Sequence, residues 1–294
     1  MYGAADRGGL NFLSENFNGQ PYNLEPVQID GDASPKDYLW LNLRELPYFR
    51  SLLRAVEARF YRELELPNPV LDLGCGDGHF AQIAFDRPLD VGLDPWSAPL
   101  REAAQRSSYQ TLVQAQGNWM PFPAAYFSSA VSNSVLEHIP AIDPVLAETW
   151  RVLKPGAPFY FCVPNHNFLN SLSIGRAFNR IGLRSLGDAY RAFFNRIARH
   201  IHCDPPEVWQ KRLEQAGFRL EKYWHYYSPA AMQVSEWGHY LGLPSLVSHT
   251  LTRRWILVPT RWNLALTYQM IKKHYIENPV RDDGVCTFYI ARRF

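Results

Sequence analysis

Residues 70–78, Val-Leu-Asp-Leu-Gly-Cys-Gly-Asp-Gly, constrain the fold of this chain more than any other part of its sequence. Residues 70–73 favour a β-strand, and the closely spaced glycines that follow let the backbone approach a ligand without a Cβ atom in the way. A helix is expected directly after them, and the first N–H groups of a helix have no partner inside it. The segment therefore predicts a strand, a ligand-binding turn and a helix in direct succession.

Strands and helices alternate along most of the remaining chain. Strands are expected at residues 70–73, 90–93, 109–114, 130–133, 159–163, 219–226 and 285–291, and helices at 79–85, 96–106, 142–153 and 207–216. The strand at 159–163 is almost wholly apolar, which is typical of a strand buried on both faces of a parallel sheet. This order predicts an α/β fold with a doubly wound parallel sheet, right-handed crossovers and a ligand beyond the carboxyl ends of the strands.

The segments outside this alternation indicate how the chain is divided. Residues 1–34 are rich in Gly, Asn, Asp and Pro and are expected to form a loop, whereas residues 37–65 predict one or two helices broken near Pro47. We predict an N-terminal segment at 1–66 and a cofactor-binding domain at 67–294. Helical cap insertions in that domain are expected at about 165–204 and 228–280.

The composition of the 294 residues argues against several classes of protein. A net charge of +2 disfavours a dedicated nucleic-acid binder, and four scattered cysteines without a CxxC pair indicate a reduced, cytoplasmic chain. No apolar run follows the N-terminus and no stretch of about 18 apolar residues occurs, so neither a signal peptide nor a membrane span is expected. His200, His202, Cys203 and Asp204 lie close together but lack a second ligand cluster, so no metal site is predicted.

The spacing of the glycines distinguishes between nucleotide cofactors. Dinucleotide-binding enzymes favour G-x-G-x-x-G, but His79 stands where their third glycine would be, and the spacing here is G-x-G-x-G. The Asp77 side chain is unfavourable beside a pyrophosphate but tolerable beside a zwitterionic amino acid. Asp94, 20 residues after Gly74, ends the second strand and can accept hydrogen bonds from two ribose hydroxyls, which suits NAD and S-adenosylmethionine (SAM) alike.

Five motifs together resemble the class I SAM-dependent methyltransferases, in particular those that act on small molecules. They lie at residues 70–78, 91–94, 117–122, 132–139 and 148–156, with weaker agreement at 209–218. The resemblance implies a Rossmann-like sheet of seven strands with the last strand antiparallel, SAM as the cofactor, and methyl transfer by in-line displacement. A nicotinamide-dependent oxidoreductase and a non-catalytic SAM-fold binding protein are the alternatives. The sequence assigns no oligomeric state.

The resemblance also implies roles for individual residues. The methionine part of SAM would be held by Asp72, Gly74, Cys75, Gly76 and Gly78, the ribose by Asp94 and Pro95, and the adenine by Asn118 and Trp119. Asn133 and Ser134, after the fourth strand, would border the sulfonium. Family members usually carry Asp where Asn118 stands, but the amide carbonyl of Asn can still accept a hydrogen bond.

Two histidines are candidate general bases, which the reaction needs only when the acceptor loses a proton. His138 follows the fourth strand and His166 follows the fifth, so both stand at the ligand-binding edge of the sheet. Each also has a structural alternative. Glu137 and His138 can form a packing pair that shapes the loop, and His166 can be an ordinary surface residue.

The two insertions carry the information about the acceptor. Six arginines lie in residues 165–204 beside apolar residues at helical spacing, and residues 255–275 combine apolar and basic side chains in the same way. Three interpretations stay open: contact with an anionic membrane surface, a cap that receives an acidic or phosphorylated acceptor, and a lid helix with its arginines toward water. The expected acceptor is therefore a small or lipid-like molecule.

Overall fold

The computed structural model describes residues 36–62 and 64–294, and the predicted loop at 1–34 lies outside these ranges. Two helices begin the described chain, α1 (Tyr38–Leu43) and α2 (Tyr48–Arg62). The break between them falls next to the proline where the sequence predicts it, because a proline ring cannot continue a helix.

The N-terminal helices belong to the same hydrophobic core as the sheet. The Asp37 side chain caps α1 by accepting a hydrogen bond from the Trp40 backbone N–H. Helix α2 buries Phe60 against the sheet, where its ring centroid lies 5.0 Å from that of Tyr226 and 5.5 Å from that of Phe288. This packing determines which face of α2 lies toward the carboxyl ends of the strands.

Seven strands form one mixed sheet, as the family resemblance implies. They are β1 (Val70–Leu73), β2 (Leu89–Asp94), β3 (Tyr109–Gln114), β4 (Ser129–Asn133), β5 (Pro158–Pro164), β6 (Phe218–Tyr226) and β7 (Cys286–Arg293). Their order is β3-β2-β1-β4-β5-β7-β6, and β7 is antiparallel to both of its neighbours. The strand order reverses at β1, so the carboxyl ends of β1 and β4 meet at the switch point where α/β sheets bind ligands.

Both faces of the sheet are covered, which confirms the prediction for the apolar fifth strand. Neighbouring residues of a strand point to opposite faces. In β5, Tyr160 and Cys162 join the cluster that includes α2, whereas Phe159 and Phe161 join a second cluster on the other face. A strand with apolar residues at every position can be accommodated only in this way.

Helices follow the strands on both faces and also form the two insertions. They are α3 (His79–Ala84), α4 (Ser97–Arg106), α5 (Ile142–Val152), α6 (Ser173–Arg180), α7 (Arg184–Ala198), α8 (Pro206–Gln215), α9 (Pro229–Leu241), α10 (Leu243–Thr252) and α11 (Arg261–Ile276). The first insertion thus contains α6 and α7, and the second contains α9 to α11.

Glu236 of α9 ties the two insertions together. Its buried carboxylate accepts hydrogen bonds from the backbone N–H groups of Ser173 and Ile174 at the start of α6, and from the hydroxyl of Tyr190 in α7. These hydrogen bonds therefore join α9 of the second insertion to α6 and α7 of the first. None of the helices in the described ranges has the combination of length and apolar character that crossing a bilayer requires.

Candidate active site

A cavity of about 400 Å³ lies at the carboxyl ends of β1 and β4. Its lining residues are Leu46, Arg50, Arg54, Asp72, Gly74, Cys75, Gly76, Asp77, His79, Phe80, Pro99, Asn133, Ser134, Val135 and His138. Seven residues that the sequence singles out as site residues lie together here: Asp72, Gly74, Cys75, Gly76, Asn133, Ser134 and His138. Chain positions far apart in sequence thus converge on the glycine turn.

The glycine turn requires glycine for two different reasons. Gly74 has a φ of +78°, and a Cβ atom there would lie 2.4 Å from the Val135 side chain, so packing as well as backbone conformation excludes a larger residue. Gly76 has a φ of +55°, but a Cβ there would meet nothing within 4 Å. Because Gly76 lines the cavity, its missing side chain leaves room for a ligand rather than for the protein.

Asp94 holds the turn in place from the end of β2. Its Oδ2 accepts a hydrogen bond from the Gly76 N–H at 3.0 Å, and its Oδ1 accepts one from the Trp96 N–H at 2.9 Å. Burial raises the pKa of this carboxyl above its usual range. A carboxylate oxygen has two lone pairs, so each oxygen can still accept a ligand hydroxyl as well.

Asp72 places a second carboxyl at the floor of the cavity. Burial raises its pKa to about 7, although a hydrogen bond from the Tyr109 hydroxyl to Oδ2, 2.6 Å long, works in the opposite direction. Asp94 raises the pKa further and Arg54 lowers it. A cationic ligand group beside this carboxyl would favour its ionised form.

Helix α2 supplies a buried glutamate that the sequence analysis does not identify. Glu57 is fully buried and accepts hydrogen bonds from Arg54 Nη1 (2.9 Å), Asn133 Nδ2 (2.8 Å), Ser134 Oγ (2.9 Å) and Tyr226 OH (2.9 Å). The sequence holds one signal for it. Glu57 stands four residues after Leu53 and three before Phe60, on the apolar stripe of the helix.

Two arginines of α2 make one side of the cavity cationic. Burial works against the charge of Arg54, but the adjacent Glu57 carboxylate outweighs it and raises the arginine pKa. Burial lowers the pKa of Arg50, with repulsion from Arg54 as the next cause. Arg54 and Asp72 line the same space, so the cavity offers a guanidinium to a carboxylate and a carboxyl to an ammonium. This combination is complementary to a free amino acid group.

His138 links this cavity to a second one beneath the first insertion. The second cavity, of about 680 Å³, is lined by His138, Ala192, Asn195, Arg196, Arg199, His200 and Ile201. The His138 Nδ1 atom lies 2.9 Å from the Arg199 carbonyl oxygen, so Nδ1 carries the hydrogen and Nε2 keeps the lone pair. Burial is the main cause that lowers the pKa of His138.

Several predicted site residues lie outside the lining of the first cavity. Asn118 and Trp119 follow β3, and the Trp119 side chain is 72% exposed. Gly78 caps the start of α3, and Pro95 directly follows Asp94. His166 is exposed after β5, with its ring centroid 6.0 Å from that of His225. The structure therefore brings His138, but not His166, to the glycine turn.

A family model described as a methyltransferase domain matches residues 43–223 of the chain. Among curated relatives, a trans-aconitate 2-methyltransferase of Sinorhizobium fredii is 27% identical over an alignment 249 positions long, which covers 78% of this chain and 87% of that protein. A ubiquinone biosynthesis O-methyltransferase of Hahella chejuensis is 32% identical over 33% of this chain. A malonyl-[acyl-carrier protein] O-methyltransferase of Serratia marcescens is 28% identical over 52% of it. The chain spans 44% and 53% of the lengths of the latter two relatives.

Solved structures share the fold. A SAM-dependent methyltransferase from Thermotoga maritima has a TM-score of 0.51 at 13% identity, with 84% of this chain and 91% of that one covered. The [4+2]-cyclase SpnF has a TM-score of 0.50 at 17% identity, with 81% and 80% covered. One of these two is named for a cyclisation, so the fold by itself does not define the reaction. The family model covers more than half of the chain and includes the whole glycine-turn site, and the chain belongs to the methyltransferase-domain family.

Proposed function

We propose that this protein is a SAM-dependent methyltransferase that acts on a small-molecule acceptor. The observation that carries the proposal is the glycine-turn cavity, in which Arg54 and Asp72 together complement an amino acid zwitterion. SAM ends in such a group, whereas a nicotinamide dinucleotide presents a pyrophosphate to the turn. The family model and the named relatives favour methyl transfer over the oxidoreductase alternative.

The proposed position of SAM follows from the residues around the turn. Its carboxylate would lie against Arg54 and its ammonium against Asp72, while the backbone from Gly74 to Gly78, with Cys75 between the first two glycines, would pass beneath it. Asp94 and Pro95 would stand beside the ribose, and Asn118 and Trp119 beside the adenine. Asn133 and Ser134 would border the sulfonium, held there by Glu57.

Methyl transfer would be an in-line displacement. The acceptor's lone pair forms a bond to the methyl carbon while the carbon–sulfur bond breaks, and the electron pair returns to sulfur. Orientation of the two reactants could supply about 7–11 kcal/mol of the rate acceleration. Where the acceptor must lose a proton, His138 is the better-placed candidate base, because its Nε2 lone pair is free and it lines both cavities. His166 stays the second candidate.

The second cavity supports an acidic acceptor. Arg196 and Arg199 line it, and His138 connects it to the glycine-turn cavity. A guanidinium pairs well with carboxylate and phosphate oxygens. The Sinorhizobium relative is named for an organic acid, trans-aconitate, which agrees with this class of acceptor.

A direct test is transfer of a labelled methyl group from SAM into a mixture of small organic acids. We expect label to appear in an organic-acid product only when the protein is present, and to fall at least tenfold with Gly76→Ala. A broad panel of acidic and lipid acceptors should then be tried. If the protein binds labelled SAM but labels none of these acceptors, the result would favour the non-catalytic alternative.

The second insertion supports a further proposal, peripheral contact with an anionic membrane surface in the cytoplasm. Leu251 is 78% exposed at the end of α10, and on α11 Trp262 is 77% and Leu266 is 84% exposed. The basic residues Arg253 and Arg254 follow α10 directly. Exposed apolar side chains next to cations are the combination that binds the headgroup region of anionic bilayers. Such contact would bring the site to a lipid-like acceptor.

Vesicle flotation tests the membrane proposal. With vesicles of phosphatidylglycerol and phosphatidylcholine at low salt, we expect the protein to float, and the doubly substituted Trp262→Ser/Leu266→Ser variant to stay in solution. Trp96→Ser is the control, because Trp96 is 70% exposed but lies outside both insertions. The membrane proposal fails when the wild-type protein remains wholly in solution.

A further inference from the structure

Three side chains with metal-binding atoms converge beside His138. One ligand atom each from Glu137, His138 and His200 lies within 4.8 Å of the other two, and His138 Nε2 is 3.6 Å from Glu137 Oε1. Glu137 and His138 belong to a 3₁₀ turn that follows β4, and His200 follows the last turn of α7. The site thus joins the sheet to the first insertion.

The backbone holds these two segments together. The N–H groups of Ile201 and His202 both donate to the Glu137 carbonyl oxygen, at 2.7 Å and 3.1 Å. On the insertion side, the Asn195 side-chain amide donates to the His200 carbonyl oxygen at 3.1 Å. The two backbone segments that carry the three side chains are therefore held together without any pairing between those side chains.

Two polar atoms of the cluster are buried and lack a hydrogen-bond partner: Glu137 Oε2 and His200 Nδ1. The Glu137 side chain is only 2% exposed. Buried polar atoms are nearly always paired, and a buried carboxyl without a partner is costly. Unpaired polar atoms on two of the three clustered side chains are what a cation-binding cluster would show when no cation partner is counted.

The hydrogen bonds of the histidines distinguish the cluster from its neighbour His202. The Nδ1–H group of His138 donates a hydrogen bond to the Arg199 carbonyl oxygen, so the Nε2 lone pair is available to a metal ion. This arrangement is usual for metal-bound histidine. In His202, by contrast, Nε2 lies 3.0 Å from the Ile139 carbonyl oxygen and Nδ1 lies 3.4 Å from Asp204.

We infer that Glu137, His138 and His200 form a binding site for a divalent transition-metal ion, with Zn²⁺ as the best match. Two imidazoles and one carboxylate are ligands that zinc accepts in sites with an open coordination position. From the sequence alone no metal site is predicted, because His200 is grouped there only with residues 202–204. The site inferred here combines His200 with two residues more than 60 positions earlier in the chain.

The location of the site indicates what the ion would do. His138 and His200 both line the second cavity, and His138 also lines the cavity at the glycine turn. A ligand in the open coordination position would therefore lie between the two. Resting on the proposed function, the ion would bind an acceptor oxygen and lower its pKa, and His138 would then hold the metal instead of acting as the base.

The test is titration of the EDTA-treated full chain with ZnCl₂ by calorimetry, with the bound metal quantified by mass spectrometry. We expect one equivalent of Zn²⁺ per chain and a 10–100-fold or larger loss of affinity with Glu137→Gln and with His200→Ala. We expect His138→Ala to fold normally, because the His138 side chain is 40% exposed. Its affinity for Zn²⁺ should fall as much as that of the other two variants. Binding of Co²⁺ should give visible absorption bands that these variants lack.

His166→Ala is the matched control, since His166 is exposed and lies outside the cluster, and we expect it to bind zinc as the wild type does. The inference is overturned when the wild-type chain binds no zinc, or when all three cluster variants bind it with unchanged affinity. Zinc binding is measured without SAM. A failure of this inference is therefore distinguishable from a failure of the proposed function, which would appear as a loss of S-adenosylhomocysteine binding or of methyl transfer.

Discussion

Glu57 Oε1 accepts a hydrogen bond from Ser134 Oγ at 2.9 Å, although 77 positions separate the two residues. The bond connects helix α2 to the end of β4, where the sulfonium of SAM is proposed to lie. Asn133 donates to the other oxygen of the same carboxylate at 2.8 Å. The N-terminal helices therefore complete the candidate site and do not merely precede it.

Replacement of Glu57 should destabilise the protein strongly. In Glu57→Ala, the Arg54 guanidinium and the Asn133, Ser134 and Tyr226 donors lose a shared buried acceptor, and breaking a buried pair of this kind costs about 3–5 kcal/mol. Urea unfolding measures the free energy directly. Glu57→Asp keeps the charge and should lose less, whereas a loss below about 1 kcal/mol in Glu57→Ala would show that the network contributes little.

The two glycines of the turn should respond differently to alanine. Gly76→Ala adds a Cβ into the open cavity at a φ of +55°, so we expect a stability cost of about 1–2 kcal/mol but at least a tenfold loss of affinity for S-adenosylhomocysteine. Gly74→Ala adds the same strain and also a contact of 2.4 Å with Val135. Its cost in thermal or urea unfolding should be clearly larger. Equal costs for the two variants would contradict this account of the turn.

The affinity for S-adenosylhomocysteine should rise with pH through about 7. Burial raises the pKa of Asp72 to about 7 in the free protein, so at lower pH the carboxyl must lose a proton before it can pair with the ligand ammonium. Calorimetry in buffers of different ionisation enthalpy should detect proton release near pH 6 and little above pH 8. Asp72→Asn should bind weakly and without this pH dependence. An affinity of the wild type that is flat from pH 6 to 8 would rule out the proposed pairing.

The same pKa predicts how the free protein's stability depends on pH. A carboxyl whose pKa is raised from 3.8 to about 7 on folding binds its proton more tightly in the folded state. Its contribution to the free energy of unfolding is therefore complete below about pH 4 and is lost as the pH rises through 7. Unfolding measured across this range should show a smaller decrease in Asp72→Asn than in the wild type.

Trp119 should contribute to cofactor binding without contributing to stability. Its side chain is 72% exposed, so little packing is lost in Trp119→Ala, and we expect a change in unfolding free energy within about 0.5 kcal/mol. If the ring stacks on the adenine, the variant should lose about 1–3 kcal/mol of binding free energy. Trp262→Ala, with a similarly exposed tryptophan on α11, is the control and should bind normally. Unchanged affinity in Trp119→Ala would remove Trp119 from the site.

The sheet and the glycine turn were accessible from the sequence because their signals are local. The apolar runs, the three glycines and Asp94 all lie within short segments, and the observed boundaries differ from the predicted ones by only a residue or two, as at Leu89 and Ser97. The number of strands and the antiparallel β7 agree with what the family resemblance implies.

The parts of the site that the sequence missed depend on contacts between distant segments. Arg54 and Glu57 lie on helix α2, and the packing of that helix places them against Asn133 and Ser134. His200 meets Glu137 and His138 because the first insertion folds back over the end of β4. The spacing of Glu57 on the apolar stripe of α2 indicates that its side chain is buried, but it does not indicate which residues of the sheet it contacts.

The central claim is that the glycine-turn cavity binds SAM, and calorimetric titration of the full chain with S-adenosylhomocysteine, compared with NADH, tests it most directly. We predict one molecule of S-adenosylhomocysteine per chain, binding that Gly76→Ala weakens at least tenfold, and no detectable heat with NADH under the same conditions. Tighter binding of NADH, or the absence of S-adenosylhomocysteine binding in a folded wild-type chain, would contradict the account.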